Sequence, residues 1–237
     1  MLTGIVVLSL YPRTMSFLAY LGKFLISVGV GVLLFVGWTL KGTDLYTHRE
    51  QRKLEKEFEA LPQVPIEPVE DGEEGPVLPP KDFEERLGPG DPVFRLHIPR
   101  IDVTDIVVEG VGVDELRKGP GHYPACRGDF EPPLCTEFPE TLPGEKGRMI
   151  VSGHRTTYGS PFWSLDKVRE GDDIMVETQW GEFVYRVYDT RIVDDEDATV
   201  VVPIRGDAEL VLTKCNPRFS ASQRLVVYAE LEEAEPA

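Results

Sequence analysis

The stretch ELVLTKCNPRFSASQRLVVYAEL, residues 209–231, contains two apolar runs separated by a short segment with Asn, Pro and Ser. The runs Glu209–Thr213 and Leu225–Leu231 have the length and the β-branched content of strands. The residues between them are typical of a turn. The sequence therefore predicts a β-hairpin, with Cys215 at the end of its first strand and Arg224 at the start of its second.

Runs of the same kind recur upstream and extend the prediction to a domain over residues 93–237. Gly, Pro and Asp separate the runs, and the pair Trp180–Gly181 between two of them predicts a tight hairpin. Many short strands with few helices predict a mainly β protein that forms a closed or nearly closed barrel. The further predicted strands are Val93–Ile98, Ile106–Gly110, Arg148–Ser152, Ile174–Thr178 and Glu182–Val193.

Two short helices are expected between these strands. Val113–Lys118 has an acidic residue early in its first turn and is followed by glycine. Pro161–Val168 has Ser160 at the N-cap position and proline at the first helical position, which is the usual arrangement at a helix start.

An uncharged apolar segment precedes the domain. Residues 24–40, FLISVGVGVLLFVGWTL, are long enough to cross most of a bilayer and predict one transmembrane helix. Residues 1–23 then form a cytoplasmic N-terminus and the start of the membrane segment. The alternatives are a cleaved signal peptide, disfavoured because no small-residue cleavage site follows, and a buried soluble helix, disfavoured because the segment has no polar face.

Two hydrophilic segments connect the apolar segment to the domain. Residues 41–61 contain the charged stretch 47–60, which predicts a solvated juxtamembrane helix. Residues 62–92 contain eight prolines among clustered acidic residues and predict an extended spacer. Its expected role is to keep the domain away from the membrane, and a lid across a groove is the less favoured alternative.

Charge and cysteine usage limit the partners and the compartment. The chain has 25 Lys and Arg against 41 Asp and Glu, a net charge of −16, which argues against a nucleic-acid partner. Cys126 and Cys135 flank a Pro- and Gly-rich loop, and a local disulfide is favoured over two free thiols. A disulfide indicates an extracellular domain, although the basic residues flanking residues 24–40 favour the opposite orientation.

Cys215, His154 and Arg224 are the candidate catalytic residues. A lone thiol at a strand end is by default a core residue. Here, however, His154 follows a strand that ends in Ser152 and Gly153, and the predicted hairpin returns Arg224 to the side of the thiol. A thiol, an imidazole and a guanidinium on neighbouring strands are suited to acyl transfer.

Three motifs resemble those of a known family. They are GPGHYP at 119–124, GHRTTYGSPFWSL at 153–165 and LTKCNPRFSASQR at 212–224, and they occur behind a membrane anchor and a spacer. Together they resemble the sortases of Gram-positive bacteria, and most closely the class E type of actinobacteria. The resemblance covers about residues 93–233 and implies a closed eight-stranded barrel.

The resemblance implies a cysteine transpeptidase without cofactor or metal. Cys215 would attack the threonine carbonyl of an LPxTG-like or LAxTG-like sorting signal at the C-terminus of secreted proteins and form a thioacyl enzyme. His154 would protonate the leaving amine, and Arg224 would donate hydrogen bonds to the carbonyl or the oxyanion. An amine of a peptidoglycan precursor or a pilin lysine would then accept the acyl group. The enzyme would be a single-pass cell-membrane protein with an extracellular catalytic domain.

Five further residues are expected near the substrate: His122, Tyr123, Tyr158, Leu212 and Thr213. For His122 and Tyr123 the alternative is that both fill a turn. For Tyr158 it is packing of the loop rather than contact with substrate.

The sequence also departs from the family motif. Val211 and Lys214 stand where the strand before the nucleophile usually has threonine. Because neighbouring strand positions point to opposite faces, Lys214 is expected to face water rather than to tune the thiol. The acidic run 194–197 is expected to form a solvated turn rather than a calcium site.

Two other functions remain open from the sequence. A membrane-tethered cysteine hydrolase would use the same thiol and histidine with water as the acceptor. A non-catalytic surface-display module on a stalk would keep Cys215 in its core.

Overall fold

The β-branched runs form eight strands that close into a barrel in a computed structural model, which describes residues 11–64, 77–202 and 208–237. The strands are β1 (Pro92–Ile98), β2 (Val103–Glu109), β3 (Gly121–His122), β4 (Gly147–Ser152), β5 (Asp173–Glu177), β6 (Gly181–Asp194), β7 (Ala208–Asn216) and β8 (Gln223–Pro236). The described residues also form four α-helices: α1 (Tyr11–Gly37), α2 (Thr43–Ala60), α3 (Phe83–Arg86) and α4 (Val113–Leu116). The predicted fold class is confirmed.

The order of strands around the barrel is β1-β2-β3-β4-β7-β8-β6-β5, and β5 pairs with β1 to close it. The pairs β2 with β3 and β4 with β7 are parallel, and the other pairs are antiparallel. Alternate side chains point inward and form one large apolar core. The parallel pairing of β4 with β7 places the ends of these two strands at the same rim.

All seven predicted strands are present, and the structure adds the two-residue strand β3. The tight connection at Trp180–Gly181 is also present. The backbone N–H of Thr178 donates to the carbonyl of Gly181 at 2.9 Å, and the Thr178 hydroxyl accepts the N–H groups of Trp180 and Gly181. These bonds stabilise the short connection between β5 and β6.

One of the two predicted short helices forms. The helix predicted over 113–118 is present as the single turn α4. The helix predicted over 161–168 is wrong, because only a 3₁₀ turn at Leu165–Lys167 forms there. Ser160 has a left-handed φ of 49°, whereas an N-cap residue has an extended conformation.

Helix α1 and helix α2 are joined by a π-helical turn, Trp38–Gly42. Within α1, residues Phe17–Gly37 are long and apolar enough to cross a membrane. The apolar stretch is therefore somewhat longer at its N-terminal side than the predicted 24–40.

Helix α2 is packed against the barrel rather than solvated, which corrects the expectation for residues 47–60. Leu54 and Phe58 are buried against Ile106 and Val108 of β2. The side-chain amide of Gln51 donates to the Ile106 carbonyl at 3.0 Å and accepts the Ile106 N–H at 2.8 Å. The sequence analysis missed this narrow apolar face because the other faces of α2 carry mostly charged residues.

Part of the predicted spacer belongs to the barrel as well. Val77, Phe83 and Leu87 are buried in the main core, and the Phe83 ring meets the Trp180 ring edge-on at 4.8 Å between centroids. Residues 65–76 of the predicted spacer lie outside the described residues. Residues 77–92 therefore extend the core, and none of them lines the groove described below.

Candidate active site

The hairpin of β7 and β8 places Cys215 and Arg224 directly opposite each other. They are a cross-strand pair in the antiparallel register of the two strands. Side chains that are paired in this way point to the same face of a sheet. Cys215 is partly exposed, and it is the chain's one cysteine outside the Cys126–Cys135 disulfide, which forms as predicted.

His154 reaches the same rim because β4 runs parallel to β7. Ser152 is in register with Thr213, and the N–H of Gly153 donates to the Thr213 carbonyl at 3.1 Å. The loop that follows packs tightly on Phe162, since a Cβ at Gly153 would come within 2.5 Å of its ring. Glycine at this position leaves room for the Phe162 ring, and His154 follows it beside the end of β7.

One groove of about 450 Å³ contains all three predicted catalytic side chains in its lining: Cys215, His154 and Arg224. A second cavity of about 270 Å³ beside Cys215 also has Cys215 and His154 in its lining. The thiol and the imidazole are therefore accessible from two cavities, and the core-cysteine alternative does not describe Cys215.

The environment of His154 favours its neutral form. Burial lowers the pKa of the imidazole, and the positive charge of Arg117 lowers it further. The His154 ring also contacts the Tyr158 ring at 5.3 Å between centroids, and Arg117 lies over that same tyrosine ring. The imidazole is thus fixed by an aromatic neighbour and is mostly uncharged at neutral pH.

The guanidinium of Arg224 is oriented by the loop between β7 and β8. Its Nη1 donates to the carbonyl of Ala221 at 2.7 Å and to the carbonyl of Gln223 at 3.1 Å. Among the described residues, its Nη2 and Nε atoms have no protein hydrogen-bond partner. A positively charged donor at a fixed position beside the thiol is suited to an anionic oxygen.

Comparison with known proteins shows which family the chain belongs to. A sequence-family model described as "Sortase domain" matches residues 96–232, more than half of the chain. The chain belongs to the sortase family.

Two relatives and one solved structure are similar to this sortase. Sortase SrtE1 of Streptomyces coelicolor is 29% identical over 226 residues, 91% of this chain and 57% of that protein. Sortase D of Bacillus subtilis is 32% identical over 139 residues, 57% of this chain and 61% of that protein. The crystal structure of sortase E1 from Streptomyces coelicolor with a tripeptide in the active site is 29% identical and has a TM-score of 0.53. That match covers 63% of this chain and 93% of that chain.

These similarities support a sortase of the class E type. The chain spans about three-fifths of the length of the two curated relatives, 57% and 61% respectively.

Two of the five predicted substrate-contact residues lie in the groove of this sortase. Tyr123 contributes to its lining, and its hydroxyl donates to the Pro133 carbonyl at 2.6 Å. Thr213 lies two residues before Cys215 and so points to the same side of β7. The Thr213 hydroxyl is buried and has no hydrogen-bond partner among the described residues, which leaves it available to a bound peptide.

The other three predicted substrate-contact residues do not line the groove. Leu212 points into the barrel and is completely buried in the main core, because it alternates with Thr213 along β7. Tyr158 packs against His154 and lies outside the groove lining, as the alternative expected. His122 is only 1% exposed and does not reach the groove.

His122 instead belongs to a buried cluster of charged groups. Its Nδ1 is 2.8 Å from Glu109 Oε2, its Nε2 is 3.1 Å from the Thr141 carbonyl, and Glu140 lies 3.8 Å from Nδ1. Burial alone would lower the pKa of His122, but the two carboxylates raise it to about 9. Burial also raises the pKa of Glu140.

The same cluster has the residue types of a metal site, since ligand atoms of Glu109, His122 and Glu140 lie within 4.8 Å of one another. However, the Arg127 guanidinium already contacts both carboxylates, at 3.4 Å and 3.0 Å. Both imidazole nitrogens are also engaged in hydrogen bonds. The cluster is therefore an ion-pair network that joins β2, β3 and the loop before β4.

Lys214 is buried rather than solvated, which corrects the sequence expectation. Its side chain points to the opposite side of β7 from Cys215, as strand alternation requires. That side is covered by the segment that contains Trp163 and Asp166, so the lysine does not reach water. Its ammonium group donates to Asp166 Oδ1 at 2.9 Å and to the Trp163 carbonyl at 3.3 Å. Burial lowers the pKa of Lys214 to about 8, and the lysine in turn lowers the pKa of Asp166.

Arg155 is a residue of this site that the sequence reasoning missed. Its Nη1 donates to Asn216 Oδ1 at 2.7 Å and to the Cys215 carbonyl at 3.3 Å, and its Nη2 lies 3.7 Å from Asp166. Arg155 therefore connects the loop of His154 to the backbone of Cys215. Its place directly after His154 was the available clue.

The acidic run after β6 forms a turn, as predicted. Asp197 accepts hydrogen bonds from the N–H and the hydroxyl of Thr199 within that turn. The sequence did not predict that Asp195 and Asp197 also line the groove of Cys215.

Proposed function

We propose that this sortase is a membrane-anchored cysteine transpeptidase that cleaves an LPxTG-like or LAxTG-like sorting signal between Thr and Gly. The observation that carries the proposal is the convergence of Cys215, His154 and Arg224 in one groove at the barrel rim. The acyl group is transferred to an amine of a cell-wall precursor or to a pilin lysine.

The first half of the reaction forms a thioester. The Cys215 thiolate attacks the threonine carbonyl carbon, and the carbonyl oxygen becomes an oxyanion. When the carbon–nitrogen bond to glycine breaks, protonated His154 gives its proton to the leaving amine. The products are a thioacyl enzyme, the released C-terminal segment and neutral His154.

The second half regenerates the free Cys215 thiolate. An acceptor amine attacks the thioester carbonyl, and neutral His154 takes the proton that the amine loses. The carbon–sulfur bond then breaks, an amide is formed, and the thiolate is available for another cycle. Because the same imidazole must be protonated first and neutral later, turnover depends on both of its forms.

Arg224 stabilises negative charge in both halves. Its Nη1 is already bound to two loop carbonyls, so the free Nη2 and Nε groups are held in place before substrate arrives. A donor that needs no reorganisation stabilises an oxyanion better than a mobile one.

Tyr123 and Thr213 contact the sorting signal in this proposal. The Thr213 hydroxyl has an unmet hydrogen bond in the groove, and a peptide N–H or carbonyl of the substrate satisfies it. The signal peptide therefore lies along the side of β7 that carries Cys215.

The proposed location is the cell membrane, with a single pass and an extracellular catalytic domain. The apolar segment Phe17–Gly37 supports the anchor. The Cys126–Cys135 disulfide supports an oxidising compartment for the barrel. The substrates are then secreted proteins that present their sorting signals outside the cell.

The test is incubation of the full chain in detergent with LAxTG and LPxTG peptides, with and without an added amine, followed by mass spectrometry of the products. The proposal expects cleavage between Thr and Gly and a ligated product when the amine is present. Cleavage that yields the free acid even at high amine concentration would favour the hydrolase, and no reaction with either peptide would contradict both. Cys215→Ala serves as the inactive control.

A further inference from the structure

An exposed group of aromatic and basic side chains lies beside the end of the apolar helix. Lys41, Trp163 and Phe219 line one cavity of about 310 Å³, and the Arg218 guanidinium lies over the Trp163 ring at 4.4 Å. We call these four residues the juxtamembrane patch. Phe219 is 72% exposed and Trp163 is 39% exposed, so both present apolar surface to the surroundings.

The loop that carries His154 is fixed to the first turn of α2. The N–H of Tyr158 donates to Thr43 Oγ1 at 3.1 Å, and the N–H of Gly159 donates to Asp44 Oδ1 at 3.0 Å. The Thr47 hydroxyl donates to the Arg117 carbonyl at 2.8 Å. The active-site rim of the barrel therefore lies at the end of α2 that is next to α1.

The position of the patch along the helix axis gives its depth. Lys41 follows the last residue of the apolar segment, Gly37, by four residues, which is about 6 Å at 1.5 Å per residue. The headgroup layer on each side of a bilayer is about 5–8 Å thick. If Phe17–Gly37 fills the hydrocarbon layer, the cavity lined by Lys41 lies among the headgroups.

The chemistry of the patch matches that layer. Tryptophan and other aromatic side chains are enriched where hydrocarbon meets headgroups, and Lys and Arg bind lipid phosphates there. Asp44 is the acidic residue in the lining of the same cavity, and it is engaged with Lys41 at 3.7 Å and with the Gly159 N–H. The Lys41 side chain is nevertheless 86% exposed, and Arg218 has no ion-pair partner among the described residues. Both basic groups can therefore reach lipid phosphates, although the whole chain has a net charge of −16.

We propose that the juxtamembrane patch binds phospholipid headgroups and inserts Phe219 at the tip of the β7–β8 loop into the membrane surface. This inference rests on the membrane anchor of the proposed function. It places the entrance of the catalytic site at the bilayer rather than at the end of a stalk.

The cavities support a route from the patch to the nucleophile. The cavity at the patch shares Thr156 and Phe219 with the second cavity beside Cys215. That second cavity shares His154 and Cys215 with the main groove. The three cavities therefore adjoin one another between the juxtamembrane patch and the thiol.

The experiment measures depth in vesicles of phosphatidylcholine and phosphatidylglycerol with the full chain in a Cys215→Ala background. A single nitroxide label is placed at Ser220→Cys, next to Phe219, and its collisions with oxygen and with a water-soluble nickel chelate are compared. Glu182→Cys provides an aqueous reference, because the β5–β6 connection meets the far end of α2, where Gln179 donates to the Phe58 carbonyl. Val30→Cys, in the apolar segment, provides a hydrocarbon reference.

The proposal expects an oxygen-to-nickel collision ratio at Ser220→Cys that is several-fold higher than at Glu182→Cys. Adding Phe219→Asn should lower that ratio, since asparagine tolerates the left-handed φ of 63° but cannot insert. The matched control Met175→Asn, which removes an exposed apolar side chain from β5, should leave it unchanged.

Equal ratios at Ser220→Cys and Glu182→Cys, with a hydrocarbon ratio at Val30→Cys, would overturn the membrane contact and leave the anchor and the transpeptidase intact. An aqueous ratio at Val30→Cys would overturn the anchor and the contact together. Neither result depends on turnover, because every variant lacks the catalytic thiol.

Discussion

Cys215 and Arg224 face each other across the β7–β8 hairpin, in register and on the same side of the sheet. The antiparallel ladder fixes this pairing through backbone hydrogen bonds, so it does not depend on a flexible loop. His154 follows the end of β4 and lies beside this pair, because Ser152 of β4 is in register with Thr213 of β7. Two neighbouring strand pairings therefore assemble the site.

Replacing Arg224 by lysine should lower kcat/KM by about 10²–10³-fold, the usual effect of losing an oxyanion donor. Lysine keeps the charge but cannot bind the Ala221 and Gln223 carbonyls while also donating two fixed bonds to substrate. Steady-state cleavage of an LAxTG peptide measures the effect. Full activity in Arg224→Lys would exclude the proposed oxyanion role.

Replacing Arg117 by glutamine should raise the pKa of His154, because the Arg117 charge is one of the two causes that lower it. Burial, the larger cause, remains, so the recovery is partial. If protonated His154 is the general acid, the alkaline limb of the kcat profile moves to higher pH. Arg100→Gln, which removes an exposed arginine paired with Asp172, should leave the limb in place. A limb that stays in place in both variants would contradict the assignment.

Loss of Asp166 should reduce the free energy of unfolding more than loss of Lys214, its buried partner. Asp166→Ala leaves the ammonium group buried with only the Trp163 carbonyl, and we expect a loss of about 1–3 kcal/mol in the free energy of unfolding. Lys214→Met removes the buried charge and leaves Asp166 partly in water, so it should cost less. Urea unfolding of both variants in detergent tests the order, and a larger loss in Lys214→Met would contradict it.

The buried His122 cluster should make stability fall in mild alkali. The folded pKa of His122 is raised to about 9 from an ordinary value of 6.5, so its contribution is complete below pH 6.5 and is lost as the pH rises through 9. The pKa of Glu140, raised from 4.5 to about 7 mainly by burial, acts in the same direction at lower pH, and its contribution is lost as the pH rises through about 7. The midpoint of urea unfolding should therefore decrease as the pH is raised from 6 to about 10. His122→Gln should make this dependence of the midpoint on pH flatter. An identical slope in the variant would rule out the cluster as its cause.

The sequence predicted the strands and the three central site residues because their determinants are local. The β-branched runs and the turn residues around Cys215 set the hairpin, and glycine before His154 marks the end of β4. The two-residue β3 was missed because Gly121 and His122 are too few to form a pattern.

The remaining errors concern contacts between distant parts of the chain. Burial of Lys214 depends on Asp166 and Trp163, which strand alternation cannot reveal. The docking of α2 depends on β2, although Leu54 and Phe58, four residues apart on a charged helix, were a visible sign of an apolar face. The sequence could not show that His122 is buried outside the groove, because this depends on its contact with Glu109 of another strand.

The intact mass of the enzyme tests the central claim most directly. The full chain is mixed with an LAxTG or LPxTG peptide without an amine, quenched in acid and analysed by mass spectrometry with peptide mapping. The account predicts an added mass equal to the peptide up to threonine less one water, attached to Cys215, absent from Cys215→Ala and lost when an amine is added. Cleaved peptide without any adduct on Cys215, or an adduct that persists in Cys215→Ala, would contradict the account.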